Sequence, residues 1–201
     1  MTDSTPGALR RRDLITAIAL TAIAPWARAQ MKIAGETFDA TARVGDSDLV
    51  LNGVGVRAVA WFKGYAAALY LGAKAATPAQ VLATPGAKRL QLRMLIDVPA
   101  KEFVKAVDVG IARNTPETEH AALAERRAAF DAQIEAFGTV AKGAVVDLDY
   151  LPGRGLQMSL NGRPAGAAIP GADFYAAVLL IFLGDKPVDK RLKAGLLGAR
   201  A

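Results

Sequence analysis

The stretch Asn52–Leu71, NGVGVRAVAWFKGYAAALYL, limits what this chain can fold into more than any other segment. Its residues alternate as strands do. Gly55, Arg57, Val59 and Trp61 fall on one face, and Val54, Val56, Ala58 and Ala60 on the other. After a break, Tyr65, Ala67, Leu69 and Leu71 share a face opposite Ala66, Ala68 and Tyr70. The turn between the two strands falls near Ala60–Phe62, without a Gly or Asn signature. Such a pair is either plain core sheet, or core sheet that also floors a ligand pocket. Arg57 makes the question sharp, because it shares its face with Val59 and Trp61 and with no other charge. A guanidinium on an apolar face needs an anionic or carbonyl partner, since an unpaired buried charge is costly. The alternative is that it snorkels to solvent at a sheet edge.

The chain of 201 residues can bury a sizeable core, and one domain is the expected organisation. A hydrophobic content of 52% with 22% charged residues is that of a globular chain. There is no cysteine, which excludes disulfides, thiolate catalysis and Cys-built metal sites. His120 is the single histidine, so a multi-His metal centre is excluded too, and no metal or cofactor is expected. Placed beside Glu119 in the first turns of a helix, His120 reads as a solvated surface residue.

The N-terminus carries a processing pattern. Arg10-Arg11-Arg12, the apolar run Leu14–Ala24 and then Ala27-Arg28-Ala29 give a basic region, a hydrophobic region and an A-x-A cleavage site in order. Arg11-Arg12-Asp13-Leu14-Ile15 also resembles a twin-arginine export signal. The apolar run is too short to span a bilayer comfortably. Residues 1–29 are therefore expected to be a signal peptide cleaved near Ala29, leaving 30–201 as a single periplasmic or secreted domain. Arg10, Arg11, Arg12 and Arg28 against Asp3 and Asp13 carry two of the six net positive charges, leaving four on the mature chain. Those charges are mixed, as in Glu117–Arg127, and form no basic stripe, so nucleic acid is not an expected partner.

Gln30–Asp48 reads as a polar lead-in with strand character at Thr41–Val44, and Leu49–Leu51 as a strand ending in an Asn52-Gly53 turn. Thr77-Pro78 caps a short helix to Ala83. Lys88–Ile96 sets Leu90, Leu92, Met94 and Ile96 against Arg89, Gln91, Arg93 and Leu95, a half-buried strand. Pro99–Arg113 reads as a helix with Phe103, Val107, Gly110 and Ile111 along one face. Thr115-Pro116 is expected to cap a second helix to Phe137, with Leu123, Phe130, Ile134 and Phe137 inward. Val145–Tyr150 and Leu156–Leu160 form a hairpin around Pro152-Gly153-Arg154-Gly155. Ala172–Leu183 is apolar all round, hence a buried helix too short for a membrane span, and Asp189 opens a last amphipathic helix. The sum is α+β, with helices layered on one antiparallel sheet.

Three segments together resemble the chalcone isomerase family, in its bacterial exported branch: GVGVR at Gly53–Arg57, YAAALYLG at Tyr65–Gly72 and FLGDKPVDKRLKAGLLG at Phe182–Gly198. The resemblance runs over roughly Ala40–Gly198 and implies an open-faced β-sandwich, a large antiparallel sheet with a helical layer and a cleft between them. Its isomerases hold substrate with an arginine at the position of Arg57. Where they carry a threonine, a tyrosine, an asparagine and a threonine or serine, this chain has Tyr65, Phe103, Gly110 and Ile181. Ring closure of a phenolate onto an enone needs hydrogen-bond donors at the developing enolate. Phe103, Gly110 and Ile181 offer none through their side chains.

Arginine plus tyrosine is similar to the family's non-catalytic fatty-acid-binding branch. The resemblance thus implies a ligand-binding protein rather than a catalyst, with no catalytic residue assigned. Arg57 and Tyr65 would hold a carboxylate, and Trp61, Phe103, Val107 and Ile181 would wall an apolar tail. Plain core packing is the competing account of each wall residue. An isomerase or lyase acting on an unknown enone through Tyr65, or an interaction domain whose cleft is filled by side chains, are the alternatives. Ligand identity and oligomeric state are not legible.

Overall fold

The computed structural model describes residues 1–2, 30–59 and 62–199; the expected signal from Asp3 onward, and Trp61, lie outside them. The chain begins with a hairpin, β1 (Gln30–Ile33) and β2 (Glu36–Asp39). Ala34 and Gly35 turn it with φ of 52° and 87°. This hairpin was not expected from the polar lead-in. Then follow β3 (Thr41–Val44), β4 (Ser47–Val59), β5 (Phe62–Leu71), α1 (Pro78–Ala83) and β6 (Lys88–Met94). A short β7 (Val98–Pro99) leads into α2 (Ala100–Asn114) and α3 (Glu117–Glu135), and β8 (Thr139–Val140) pairs back on β7. The chain ends with β9 (Val145–Leu151), β10 (Gly155–Leu160), β11 (Arg163–Pro164), α4 (Ala172–Leu183) and α5 (Lys190–Leu196).

Seven strands make one antiparallel sheet in the order β11-β10-β9-β6-β5-β4-β3. Helices cover one face, giving the expected α+β architecture of a large curled sheet with a helical layer. β5 is buried on both faces. Tyr65, Ala67, Leu69 and Leu71 meet the helices, while Ala66, Ala68 and Tyr70 join Phe38, Leu49 and Val54 in a second core on the far side. α4 sits at the centre of the helical layer, with eight of its twelve residues buried. An edge-on contact between Phe130 and Phe174, 5.8 Å between centroids, locks α3 to it. The second core is roofed in part by the β1–β2 hairpin through Phe38, with the Arg93 guanidinium 5.0 Å from its ring centroid. Beside it Arg89 grips Asp149 with two 2.6 Å hydrogen bonds.

Two expectations are corrected. Asn52-Gly53 is no turn; β4 runs through it with an irregularity between Leu51 and Gly53. Asn52 is buried, its amide donating to the carbonyls of Ala75 (2.9 Å) and Leu196 (2.8 Å) and its oxygen accepting from Ala75 N–H at 2.8 Å. A Cβ on Gly53 would lie 2.1 Å from the Gly195 carbonyl oxygen, so glycine here serves the close approach of α5 rather than a turn. Thr115 does not cap α3. Its hydroxyl donates back to Ile111 O at 2.7 Å and closes α2 instead. His120 is part-buried, its Nε2 3.2 Å from the Thr115 carbonyl oxygen.

Candidate functional site

β4 and β5 bring Arg57 directly opposite Tyr65 in the strand ladder. Just beyond this pair the register shifts between Arg57 and Ala58. The Ala58 N–H donates to Asp189 Oδ2 at 3.2 Å. Asp189 is also the N-cap of α5, its Oδ1 accepting from Arg191 N (2.7 Å) and Leu192 N (3.0 Å). One carboxylate therefore ties the irregular end of β4 to a helix start. Such interruptions re-aim side chains at sheet edges and ligand sites.

Between the sheet and the helical layer lies a cavity of about 300 Å³. Tyr65, Leu92, Val146, Leu148 and Met158 form its floor; Phe103 and Val107 of α2, Phe130 and Ile134 of α3 and Val178 and Ile181 of α4 form its roof. Arg57, Gly64, Ile96, Glu102 and Val188 also line it. Ile96 is 40% exposed and Glu102 is exposed, so this is where the cavity meets solvent. The geometry thus brings five of the six sequence-predicted site residues, Arg57, Tyr65, Phe103, Val107 and Ile181, to one cavity. Trp61 falls outside the described residues.

Arg57 is part-buried, and among the described residues it makes no ion pair; its Nη1 donates a long hydrogen bond, 3.4 Å, to the neighbouring Ala58 carbonyl, and its side chain is within hydrogen-bonding reach of the Tyr65 hydroxyl. Tyr65 is 8% exposed. Burial drives its phenol pKa well above the ordinary tyrosine value; the Arg57 cation partly offsets this, and the Asp189 charge adds to it. The hydroxyl is therefore a donor throughout the physiological range and not a phenolate. A cation and a phenol donor at one end, with hydrocarbon behind them, can hold a monoanion with an apolar tail.

Sequence reasoning did not find Asp189 as the residue that sets the arginine's strand end, nor Glu102 and Ile96 at the opening. Asp189 was legible only as a helix start. Leu92, Leu148, Met158 and Phe130 were legible only as core, because periodicity marks an inward residue without showing whether it meets another side chain or a space.

A family model described as chalcone isomerase-like matches residues 30–198. No curated protein matches the chain. Among solved structures, a fatty-acid binding protein of Arabidopsis thaliana is similar at 16% identity, covering 84% of this chain and 96% of its own, with a TM-score of 0.63. At that identity the likeness establishes a shared fold.

Proposed function

The chain belongs to the chalcone isomerase-like family, and we propose that it is an exported, non-catalytic member whose cleft holds a fatty acid or a similar apolar anion. One observation carries this reading: Arg57 borders a cavity of about 300 Å³ with mostly hydrocarbon walls and has no carboxylate paired to it among the described residues. A ligand carboxylate would take the guanidinium and the Tyr65 hydroxyl, in charge-assisted hydrogen bonds. The tail would run inward over Leu92, Leu148 and Met158 beneath Phe103, Val107 and Ile181. The Arabidopsis neighbour, a fatty-acid binding protein, points the same way.

Catalysis is disfavoured by what stands at the donor positions. A Cβ added at Gly110 would lie 2.7 Å from Ile181 Cγ2, so α2 and α4 leave no space for a side chain there. Phe103 and Ile181 present only hydrocarbon. The isomerase alternative rests on the buried, protonated Tyr65 phenol, which could donate a proton to an enolate beside Arg57. Turnover of an enone lost in Tyr65→Phe would favour it. Export is part of the proposal, and the basic, apolar and A-x-A segments that precede Gln30 in the sequence support it.

The test is to purify the protein from cells, extract it with organic solvent and identify what is released by mass spectrometry, with Arg57→Ala treated alongside. A fatty acid present in the wild type and lost in Arg57→Ala is the expected result. The same fatty acid at equal occupancy in both would remove Arg57 as the anchor, and an empty wild-type extract that also fails to take up added decanoate would overturn the reading.

A further inference from the structure

Lys88 breaks the pattern of the strand it opens. β6 turns Leu90, Leu92 and Met94 to the core and Arg89, Gln91 and Arg93 away from it, and Lys88 shares the core face at 6% exposure. A cation at such a register is a local rule broken, and broken rules concentrate at functional sites. Its ladder partner is Tyr150 of β9. The ammonium lies 5.3 Å from the Tyr150 ring centroid, and that ring packs on Tyr175 with centroids 5.1 Å apart. Lys88 Nζ donates to the Thr84 carbonyl at 2.6 Å, which uses one of its three hydrogens. Among the described residues it has no ion pair with a carboxylate. Capping the end of α1 explains the Thr84 contact but not the burial, because a lysine can reach a terminal carbonyl from the surface.

A second cavity, also about 300 Å³, opens beside this ammonium between the end of α1, the β9–β10 turn and the first turns of α4. It is separate from the Arg57 cleft. Lys88 pairs with Leu71 at one end of β5, and Met94 pairs with Tyr65 at the other. Six residues along β6 amount to about 20 Å. Lys88 is the one charged residue among those lining this cavity, and Tyr150, Tyr175, Pro85 and Pro152 supply flat, apolar walls. One buried cation suits one negative charge; a dianion would bring a second charge with no partner. At roughly 30 Å³ per water-sized group, the space takes about ten non-hydrogen atoms.

We propose that this cavity is a second binding site, for a small aromatic monocarboxylate, with Lys88 pairing the carboxylate and Tyr150 lying against the ring. It is independent of the fatty-acid reading and can hold or fail without it.

The probe is benzoate, titrated into the full chain and followed by saturation-transfer NMR and calorimetry, with Arg57→Ala, Lys88→Met and Ala176→Leu in parallel. Lys88→Met keeps the stem and removes the charge. Ala176→Leu keeps Lys88 and fills the cavity from α4. The expected result is equal binding by wild type and Arg57→Ala, with at least a tenfold loss in Lys88→Met and at least a fivefold loss in Ala176→Leu. If circular dichroism shows Lys88→Met to be unfolded, Ala176→Leu decides, and unchanged binding there overturns the site. No binding by the wild type overturns it, as does binding lost in Arg57→Ala and kept in Lys88→Met.

Discussion

Arg57 and Tyr65 stand directly opposite one another on β4 and β5, and the pairing of the two strands slips immediately beyond them. The slip frees the Ala58 N–H, which Asp189 takes. The cation, the phenol and the carboxylate are thus fixed by one backbone irregularity, and Asp189 is at once a structural tie and a negative charge close enough to raise the Tyr65 pKa. Those two roles separate by mutation. Asp189→Asn keeps a good N-cap and removes the charge, so an anion should bind more tightly, by up to about fivefold. Asp189→Ala loses the cap and the tie to Ala58, and should cost about 1–2 kcal/mol of stability. Decanoate titration and urea unfolding of both variants check this. Weaker decanoate binding by Asp189→Asn would mean that the carboxylate itself contacts the ligand.

Tyr65→Phe removes a donor and little else, because within the protein the hydroxyl meets only the Arg57 side chain, which has other groups to bond. A hydrogen bond to a charged group is worth about 1.5–3 kcal/mol. Decanoate affinity should therefore fall by roughly tenfold or more while the urea midpoint stays near that of the wild type. Unchanged affinity would place the carboxylate on Arg57 alone.

Most of the architecture was legible because its signals are local. Thr77-Pro78 marks the start of α1, where the structure adds a capping box with Gln80, and α1 and α4 run over the spans their sequences indicate. The two faces of β5 and the alternation of β6 are local in the same way, although β6 ends at Met94 and leaves Ile96, expected inward, 40% exposed. What was not legible depends on residues far apart in sequence. Asn52-Gly53 looks like a turn until α5 arrives from more than a hundred residues away and needs both the amide and the missing Cβ. Thr115 looks like a cap for the helix after it but bonds to the helix before it. The site was legible as a set of types, a lone arginine and a tyrosine on an apolar face. The space between sheet and helices was legible only through the family resemblance, since a void leaves no mark on periodicity.

Asn52 offers a direct measure of that long-range dependence. Three buried hydrogen bonds join it to Ala75 and Leu196. Asn52→Ala leaves two carbonyls and an N–H without partners, at about 1–3 kcal/mol for each group left unsatisfied. Relaxation and entering water recover part of this, so a loss of about 3 kcal/mol is expected in urea unfolding. Gly53→Ala should cost at least about 2 kcal/mol, by overpacking against the Gly195 carbonyl rather than by lost bonds. A Gly53→Ala protein as stable as wild type would mean that α5 can move away from β4 at little cost.

Asp131 on α3 has Asp108 of α2, and Arg127 and Glu135 of its own helix, as charged neighbours, with Arg127 Nε 3.3 Å from Asp108. One of its oxygens is buried without a partner. Burial first, and then the Asp108 charge, push its pKa up to about 6. An unfolded aspartate titrates near pH 4, at about 3.9. Between those values the folded chain binds more protons than the unfolded one, so the stability contributed by this group falls as pH rises through the window from about 4 to about 6. Above it the full cost of the charge remains. Because the residue is part-exposed, solvent screening reduces that cost to about 1 kcal/mol. Asp131→Asn should accordingly be more stable than wild type by about 1 kcal/mol at pH 7.5 and nearly equal to it near pH 4, measured as the difference in urea unfolding free energy. The comparison with wild type at each pH removes the titration of the other carboxylates. A difference that stays constant across the window would mean that Asp131 keeps its ordinary pKa in the folded chain, and that its neighbours are better solvated than their packing implies.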